Sequence, residues 1–303
     1  MFQRREFIKG STALLLASQV AHLRAAPGNL ITRPIPGTGE RLPVMGMGSS
    51  RTFDTSSTAP NLSALTAVMR EFFAGQGALV DSSPMYGAAE GVLGEVLMKL
   101  GNPKQLFAAT KVWTDGREAG IEQMRESGKL MGVSVFDLIQ VHNLRDWKTH
   151  LDTLQNWKQE GRVRYLGITT SHKRNHKELE QIMKTRSLDF VQFSYNIENR
   201  LAEERLLPLA ADQGIATLIN RPFQRGDLFS KVKGRPLPEL VNELGCASWG
   251  QFFLKFIIAH PAVTCLIPAT AKVHHMADNM EANFGMVPDA TQRKAMLELY
   301  QSL

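Results

Sequence analysis

Four side chains suited to proton transfer stand at or just after the ends of three apolar runs in this 303-residue chain. Asp81 ends the first run, and Tyr86 follows it in a short polar loop. Lys111 ends the second run, and His142 ends the third. The carboxyl ends of parallel strands meet at one face of a barrel, which is where barrel enzymes place their catalytic groups. We therefore expect these four side chains to converge on one site.

Together the four groups could protonate a carbonyl oxygen. A tyrosine is a poor acid near neutral pH because its reference pKa is about 10, and a neighbouring lysine ammonium lowers that pKa by stabilising the phenolate. Asp81 would orient Lys111, and a neutral His142 would donate a hydrogen bond to the carbonyl oxygen. None of these groups can deliver a hydride, so the reaction requires a cofactor.

Each residue taken alone also has an ordinary structural explanation. Asp81 could cap a helix or lie in a surface turn, and Tyr86 could be a core aromatic residue with a satisfied hydroxyl. Lys111 could be solvated, and His142 could be a hydrogen-bonded core histidine. Four such residues at strand ends, in this order, favour the catalytic interpretation.

The pattern of the chain predicts a barrel that would position these residues. Strand-like runs alternate eight times with helical stretches, which is typical of parallel βαβ units. The predicted strands are residues 44–48, 79–82, 106–110, 137–142, 165–169, 190–195, 216–220 and 264–267. The predicted helices are near residues 63–74, 89–100, 120–131, 147–159, 174–184, 202–212, 249–260 and 274–283. We predict an α/β fold, a (β/α)8 TIM barrel with an N-terminal hairpin in residues 30–45 and an extra C-terminal helix near residues 291–300.

The beginning of the chain has the pattern of an export signal. A twin arginine, Arg4-Arg5, precedes an apolar core too short to span a bilayer, and small residues around Ala25 offer a cleavage site. We predict that residues 1–26 are a twin-arginine-type signal peptide and that residues 27–303 form one barrel domain. The expected location is the bacterial periplasm, reached through the twin-arginine export machinery. Anchoring by an uncleaved signal remains the alternative.

The basic composition does not indicate nucleic-acid binding. The formal net charge is +6 at pH 7 and falls to about +3 without residues 1–26. No basic stripe interleaved with aromatic residues is present, so we expect no nucleic-acid partner. We also expect the protein to be a monomer. Cys246 and Cys265 could pair in an exported protein, but two buried free thiols are favoured.

These motifs resemble those of the aldo-keto reductase family. The segment Asp-Ser-Ser-Pro-Met-Tyr-Gly-Ala-Ala-Glu at residues 81–90 matches its tyrosine motif, and residues 110–113 and 137–143 match its lysine and histidine motifs. The resemblance covers about residues 42–283. It implies a (β/α)8 barrel, a nicotinamide cofactor and Tyr86 as the general acid. The other three residues would tune Tyr86 and orient the carbonyl group.

The resemblance also implies a cofactor site and a substrate site. By matched positions, the cofactor residues are Gly48, Ser49, Thr169, Thr170, Gln192, Asn220, Arg221, Pro222, Phe223, Arg225, Thr270, Lys272, His275 and Asn279. Thr170 stands where an asparagine is usual, and Asn220 stands where an aromatic ring commonly stacks on the nicotinamide. NADP is the expected cofactor, with NAD as the alternative. Met85, Trp113 and Asn143 are expected to line the pocket for a small carbonyl substrate, although Trp113 could equally be a packed loop residue.

Other functions remain as alternatives. Asn220 and Thr170 motivate a nicotinamide-nucleotide-binding sensor or partner protein with little catalysis on the same barrel. A barrel hydrolase is disfavoured because the sequence has no Gly-x-Ser-x-Gly turn and no metal cluster. His172 and His176 have a metal-capable spacing on a predicted helix, but their basic neighbours favour a solvated helix face.

Overall fold

The computed structural model describes residues 28–303, so the signal predicted for residues 1–26 lies outside the described part. A two-stranded antiparallel hairpin, β1 (Thr32–Pro34) and β2 (Arg41–Pro43), precedes a sheet of eight parallel strands. These strands are β3 (Met47–Gly48), β4 (Leu79–Asp81), β5 (Phe107–Val112), β6 (Phe136–His142), β7 (Val163–Thr169), β8 (Phe190–Ser194), β9 (Ala216–Asn220) and β10 (Cys265–Leu266). They lie side by side in chain order.

The first and last strands meet and close the barrel. Met45 forms a parallel bridge with Leu266, and the Gly46 amide donates to the Leu266 carbonyl at 2.8 Å. The Gly48 amide donates to the Pro268 carbonyl at 3.1 Å. The predicted (β/α)8 barrel is confirmed.

Helices surround the strands. They are α1 (Ala59–Ala74), α2 (Ala89–Lys99), α3 (Arg117–Met131), α4 (Trp147–Gln159), α5 (His176–Thr185), α6 (Leu206–Asp212), α7 (Asp227–Lys231), α8 (Glu239–Glu243), α9 (Trp249–Ile258), α10 (Val273–Glu281) and α11 (Ala290–Ser302). The predicted extra helix is α11, which begins with a capping box formed by Asp289 and Gln292. Within residues 28–303, no helix is both long and apolar enough to cross a membrane.

Two short helices were missed, and one local prediction was wrong. The short helices α7 and α8 were not predicted, because five residues are too few to show a helical period. His172 and His176 do not share a helix, since α5 begins at His176. The His172 amide donates to the Thr170 hydroxyl at 3.1 Å, which holds His172 in the loop before a short 3-10 turn.

The strand sequences explain why polar groups gather at one end of the barrel. Alternate residues of a strand share one face. Apolar residues fill the barrel interior, namely Leu79, Phe107, Ala109, Leu138, Tyr165, Phe190, Ala216, Leu218, Cys265 and Ile267. Two residues further along five of these strands, the same face carries Asp81, Lys111, Gln140, Gln192 and Asn220.

The hairpin covers the opposite end of the barrel. Ile35 and Leu42 are buried and belong to the same apolar cluster as the interior residues of the strands. The hairpin predicted for residues 30–45 is confirmed, and it closes the bottom of the barrel. Cys246 and Cys265 are buried free thiols, as favoured from the sequence.

Candidate active site

An ion pair lies at the centre of the polar end of the barrel. Lys111 Nζ donates to Asp81 Oδ2 at 2.5 Å and to the Ser82 carbonyl at 2.7 Å. Both side chains are almost entirely buried. Burial alone would lower the pKa of Lys111, but the charge of Asp81 and the hydrogen bond to it hold the pKa above its usual value. Lys111 is therefore a fixed cation.

A chain of amide side chains extends from this pair across the barrel. Gln140 Nε2 donates to Asp81 Oδ1 at 3.0 Å, and Gln192 Nε2 reaches the same oxygen at 3.3 Å. Thr169 Oγ1 donates to Gln192 Oε1 at 3.1 Å, and Asn220 Nδ2 lies 3.4 Å from that oxygen. The carboxylate is thus held by donors from three strands, β5, β6 and β8.

His142 ends β6 and lies against Tyr86. The two rings meet edge to face, with centroids 5.6 Å apart and an interplanar angle of 87°. The Ser83 hydroxyl is hydrogen-bonded to His142 Nδ1 at 2.8 Å. Burial lowers the pKa of His142 to about 2, with Lys111 and His172 adding charge repulsion. His142 is therefore neutral throughout the working pH range of a protein.

Tyr86 completes the group of four. Lys111 Nζ lies 4.9 Å from the centroid of the Tyr86 ring. Burial raises the pKa of Tyr86 above its usual value of 10.0, and the charge of Lys111 only partly offsets that rise. The expected influence of Lys111 is thus present, but burial outweighs it. The phenol stays protonated near neutral pH and can act as a proton donor.

The loop before α2 sets the position of Tyr86. Gly87 has φ +58°, and a Cβ there would lie 2.1 Å from Asp54 Oδ1. The same carboxylate accepts a hydrogen bond from the Ala88 amide at 3.0 Å. A glycine is required at this position both by its backbone conformation and by the approach of Asp54.

Comparison with known proteins agrees with this geometry. The sequence model described as the aldo/keto reductase family matches residues 44–293. The chain belongs to that family.

Relatives of this aldo/keto reductase are distant in sequence. The aldo-keto reductase YhdN of Bacillus subtilis is 26% identical over 51% of this chain and 50% of its own length. The NADH-specific methylglyoxal reductase of Escherichia coli is 24% identical over 51% of this chain and 55% of its own length. The chain thus spans about half the length of these curated relatives.

Solved structures share the fold. The aldo-keto reductase from Klebsiella pneumoniae, solved in complex with NADPH, superposes with a TM-score of 0.72 at 19% identity. The match covers 89% of this chain and 96% of that protein.

The residues predicted to hold the nicotinamide lie at the ends of three neighbouring strands of the aldo/keto reductase barrel. Thr169, Gln192 and Asn220 form the hydrogen-bonded series described above. Asn220 Oδ1 also accepts from Ser194 Oγ at 2.5 Å. The Thr170 hydroxyl accepts from the His172 amide and is engaged in the loop. Amide and hydroxyl groups of this kind complement a carboxamide.

The residues predicted for the rest of the cofactor lie in two groups. In the loop after β9, Arg221 Nη2 donates to Ser171 Oγ at 2.9 Å, Pro222 is buried, and Phe223 packs on Phe229 with centroids 5.0 Å apart. Arg225 is exposed there. After β10, the exposed residues Lys272 and His275 lie at the start of α10, while Thr270 and Asn279 are buried.

Two predicted cofactor residues have a structural contact of their own. The hydroxyl of Ser49 donates to the Asp81 carbonyl at 3.1 Å and to the Ser82 hydroxyl at 2.9 Å. Gly48 lies where the first and last strands of the barrel meet. A Cβ on Gly48 would lie 3.1 Å from the Ile267 carbonyl oxygen. Both residues therefore fix the β3 end beside the ion pair.

The predicted substrate residues lie close in the chain to three of the four catalytic candidates: Met85 precedes Tyr86, Asn143 follows His142, and Trp113 lies two residues after Lys111. Within residues 28–303, Asn143 Oδ1 is a buried acceptor without a hydrogen-bond partner. Trp113 is held by two hydrogen bonds between its backbone and Gln123, and the Arg145 guanidinium lies 4.9 Å from its ring centroid. The Met85 side chain is 45% exposed.

Sequence reasoning missed three residues that support the site. Gln140 holds Asp81, and it was detectable because it shares the inward face of β6 with His142. Ser83 lies in a loop, where no periodicity reveals its direction. Glu90 of α2 is buried and accepts hydrogen bonds from Thr110 of β5 and from Ser127 of α3. These two hydrogen bonds link α2 to β5 and to α3.

Proposed function

We propose that this protein reduces an aldehyde or a ketone with NADPH, or oxidises the corresponding alcohol with NADP. One observation carries the proposal: the buried Lys111–Asp81 ion pair lies beside the Tyr86 ring, and a neutral His142 lies against that ring. This arrangement combines a proton donor, a fixed cation and a hydrogen-bond donor for an oxyanion.

The residues of this chain perform the acid half of the reaction. Tyr86 holds a proton on its phenolic oxygen and transfers it to the carbonyl oxygen as that oxygen gains charge. Lys111 stabilises the phenolate that remains. Neutral His142 donates to the carbonyl oxygen and orients it.

The cofactor side is supported by the chemistry of the donor set. Thr169, Gln192 and Asn220 offer hydroxyl and amide groups for the carboxamide. At the start of α10, Lys272 offers a cation and His275 a ring N–H donor for a phosphate. When bound, NADPH supplies the hydride. The name of the E. coli relative makes NADH the alternative reductant.

The affinities of the protein for NADPH and for NADH test which of the two nucleotides is the cofactor. We expect a fluorescence titration of the purified protein to show saturable binding of NADPH that is tighter than binding of NADH. Binding of neither nucleotide would refute the oxidoreductase proposal. A sensor without catalysis is not favoured, because a sensor does not need the buried ion pair beside Tyr86.

We also propose that the protein is exported by the twin-arginine machinery to the bacterial periplasm, is cleaved after Ala25 and acts there as a monomer. The support is the order of Arg4-Arg5, an apolar core and small residues in the first 26 residues. Free nicotinamide nucleotide should be scarce outside the cytoplasm, so the cofactor would bind before export.

Cell fractionation tests this proposal. We expect processed protein with bound nucleotide in the periplasmic fraction, and retention in the cytoplasm when both Arg4 and Arg5 are changed to lysine. Equal export of that variant would contradict the twin-arginine route. A processed protein without any nucleotide would contradict loading before export.

A further inference from the structure

The loop that follows β9, residues 221–226, has a backbone conformation that few residue types adopt, and we call it the β9 loop. Arg221, Gln224 and Arg225 have φ values of +53°, +51° and +61°, and Gly226 follows at +103°. Residues other than glycine are destabilised in this left-handed region, because Cβ lies too close to the backbone. A loop with three such residues keeps its conformation only when surrounding groups hold it.

Asn196, in the loop after β8, is one of the groups that hold the β9 loop. Its side chain is fully buried. Asn196 Nδ2 donates to the Arg221 carbonyl at 3.0 Å and to Gln224 Oε1 at 2.9 Å. The Arg221 carbonyl also accepts from the Gln224 amide at 3.0 Å, which closes a turn over residues 221–224. One side chain therefore contacts both the first and the last residue of this turn.

The other half of the Asn196 side chain is fixed within its own loop. Oδ1 accepts from the Glu198 amide at 3.1 Å and from the Asn199 amide at 2.7 Å. Both protons on Nδ2 and both lone pairs on Oδ1 are thus engaged. Reversing the side-chain amide would turn its NH2 group towards two backbone N–H donors. The direction in which Asn196 donates is therefore determined.

The loop after β8 is itself joined to α11. The hydroxyl of Tyr195, which precedes Asn196, donates to Glu203 Oε1 at 2.6 Å. Arg293 of α11 is hydrogen-bonded to both of these groups. Tyr195 is fully buried, so this network is shielded from water. Asn196 thus links the β9 loop to a part of the chain that α11 stabilises.

The residues held in this way are residues predicted for the cofactor. Arg221, Pro222, Phe223 and Arg225 all lie in the β9 loop, and Arg221 also donates to Ser171 Oγ at 2.9 Å. A binding loop that is ordered before its ligand arrives loses less conformational entropy on binding, and the ligand therefore binds more tightly.

We propose that Asn196 is a positioning residue for the nicotinamide nucleotide: it holds the β9 loop in its left-handed conformation before NADPH binds, and so increases the affinity for NADPH. Because protein groups occupy all its side-chain donors and acceptors, Asn196 acts through the loop and not by contact with the nucleotide. The inference rests on the proposed function, since it concerns the cofactor of the same reaction.

Substitution of Asn196 tests this role in the full chain. Asn196→Ala removes both hydrogen bonds to the β9 loop, and we expect the Kd of NADPH in a fluorescence titration to rise about tenfold. The loss should appear in the KM for NADPH and not as a fall in kcat. Asn283→Ala is the matched control, because Asn283 is also fully buried and its hydrogen bonds reach Gly75 and Met45. This control should lose stability and keep its affinity for NADPH.

A second variant covers the case in which Asn196→Ala does not fold. Asn196→Asp has the same shape and keeps an acceptor for the amides of Glu198 and Asn199. It replaces only the donor that contacts the β9 loop, so the Kd of NADPH should rise at least as much as in Asn196→Ala.

Hydrogen exchange of the nucleotide-free protein gives a readout without turnover. The Gln224 amide is hydrogen-bonded to the Arg221 carbonyl within the β9 loop. In Asn196→Ala, peptides that contain this loop should exchange several-fold faster, whereas peptides from the barrel strands should exchange at unchanged rates. Saturation with NADPH should restore slow exchange of the loop. Faster exchange throughout the barrel would show a general loss of stability and would contradict a positioning role.

The outcomes distinguish this inference from the proposed function. If the unaltered protein binds NADPH and the Asn196 variants bind it with the same Kd, the positioning role is overturned and carbonyl reduction stands. Faster exchange of the β9 loop with unchanged affinity would overturn it as well, because the loop would then not determine nucleotide binding. If the unaltered protein binds neither NADPH nor NADH, the reductase proposal itself is refuted, and this inference with it.

Discussion

Ser83 Oγ and His142 Nδ1 lie 2.8 Å apart, and the Met85 amide donates to the same hydroxyl at 3.2 Å. Of these two partners of Oγ, the Met85 amide is a donor, so Nδ1 is the partner that can accept the hydroxyl proton. We infer that Ser83 donates to Nδ1 and places the proton of neutral His142 on Nε2. Nε2 is then the nitrogen that can donate to a carbonyl oxygen.

Removing the Ser83 hydroxyl tests this positioning role. Ser83→Ala should lower kcat about tenfold, which corresponds to roughly 1.4 kcal/mol, because His142 loses its fixed tautomer. NADPH affinity should stay unchanged. Ser127→Ala is the control, since it removes a buried hydroxyl that contacts Glu90 outside the site. An unchanged kcat in Ser83→Ala would exclude the positioning role.

The pH dependence of carbonyl reduction follows from the two aromatic residues. The pKa of His142 is about 2, and the pKa of Tyr86 is raised above its usual value. Both groups therefore keep the protonation state that reduction requires, and kcat should be nearly constant from about pH 5 to pH 9. The rate should fall only at higher pH, where Tyr86 ionises.

Initial rates across this range, with cofactor saturating, provide the measurement. An inflection near pH 6.5 that disappears in His142→Gln would show that His142 titrates, contrary to the structure.

Gly87 and Gly101 offer a matched pair for the loop that carries Tyr86. Both have positive φ, at +58° and +76°, but only a Cβ at Gly87 would meet the Asp54 carboxylate. Gly101→Ala should cost about 1 kcal/mol of unfolding free energy and leave turnover intact. Gly87→Ala should cost more and also reduce kcat, because Tyr86 is displaced. Urea unfolding together with turnover distinguishes the two, and equal effects of both variants would argue against the Asp54 contact.

Glu90 should make stability depend on pH. Burial raises its pKa, although the hydrogen bonds from Thr110 and Ser127 oppose that rise. Between the unfolded pKa of about 4.5 and the higher folded value, the folded protein binds more protons, so the free energy of unfolding falls as pH rises. Glu90→Gln should remove this part of the slope. Urea unfolding at several pH values measures it, and an identical slope in the variant would contradict the assignment.

The barrel and its catalytic group were predictable because their signals are local. Asp81, Lys111 and His142 each end an apolar run, and eight repeats of strand and helix predict a closed (β/α)8 barrel. The ends of the strands that close the barrel were less predictable. The strand predicted for residues 264–267 is reduced to Cys265 and Leu266 in β10, because its length depends on pairing with the chain around β3 when the barrel closes.

The remaining features depend on side chains that meet across the fold. Ser83 gains its role only when the loop after β4 lies against the end of β6. One cavity is lined by both Arg174 and Arg221, which follow different strands, and the sequence alone does not show that these two residues lie close together. The net effect on the pKa of Tyr86 depends on burial, which the presence of Lys111 in the sequence does not reveal.

The most direct test of the central claim compares Tyr86→Phe with the unaltered protein in a single turnover with bound NADPH. The substitution keeps the ring that contacts His142 and removes the proton, so folding and NADPH affinity, measured on the same samples, should be retained. We predict that NADPH oxidation by a carbonyl substrate slows by at least about a hundredfold. Oxidation at the rate of the unaltered protein would show that Tyr86 is not the general acid.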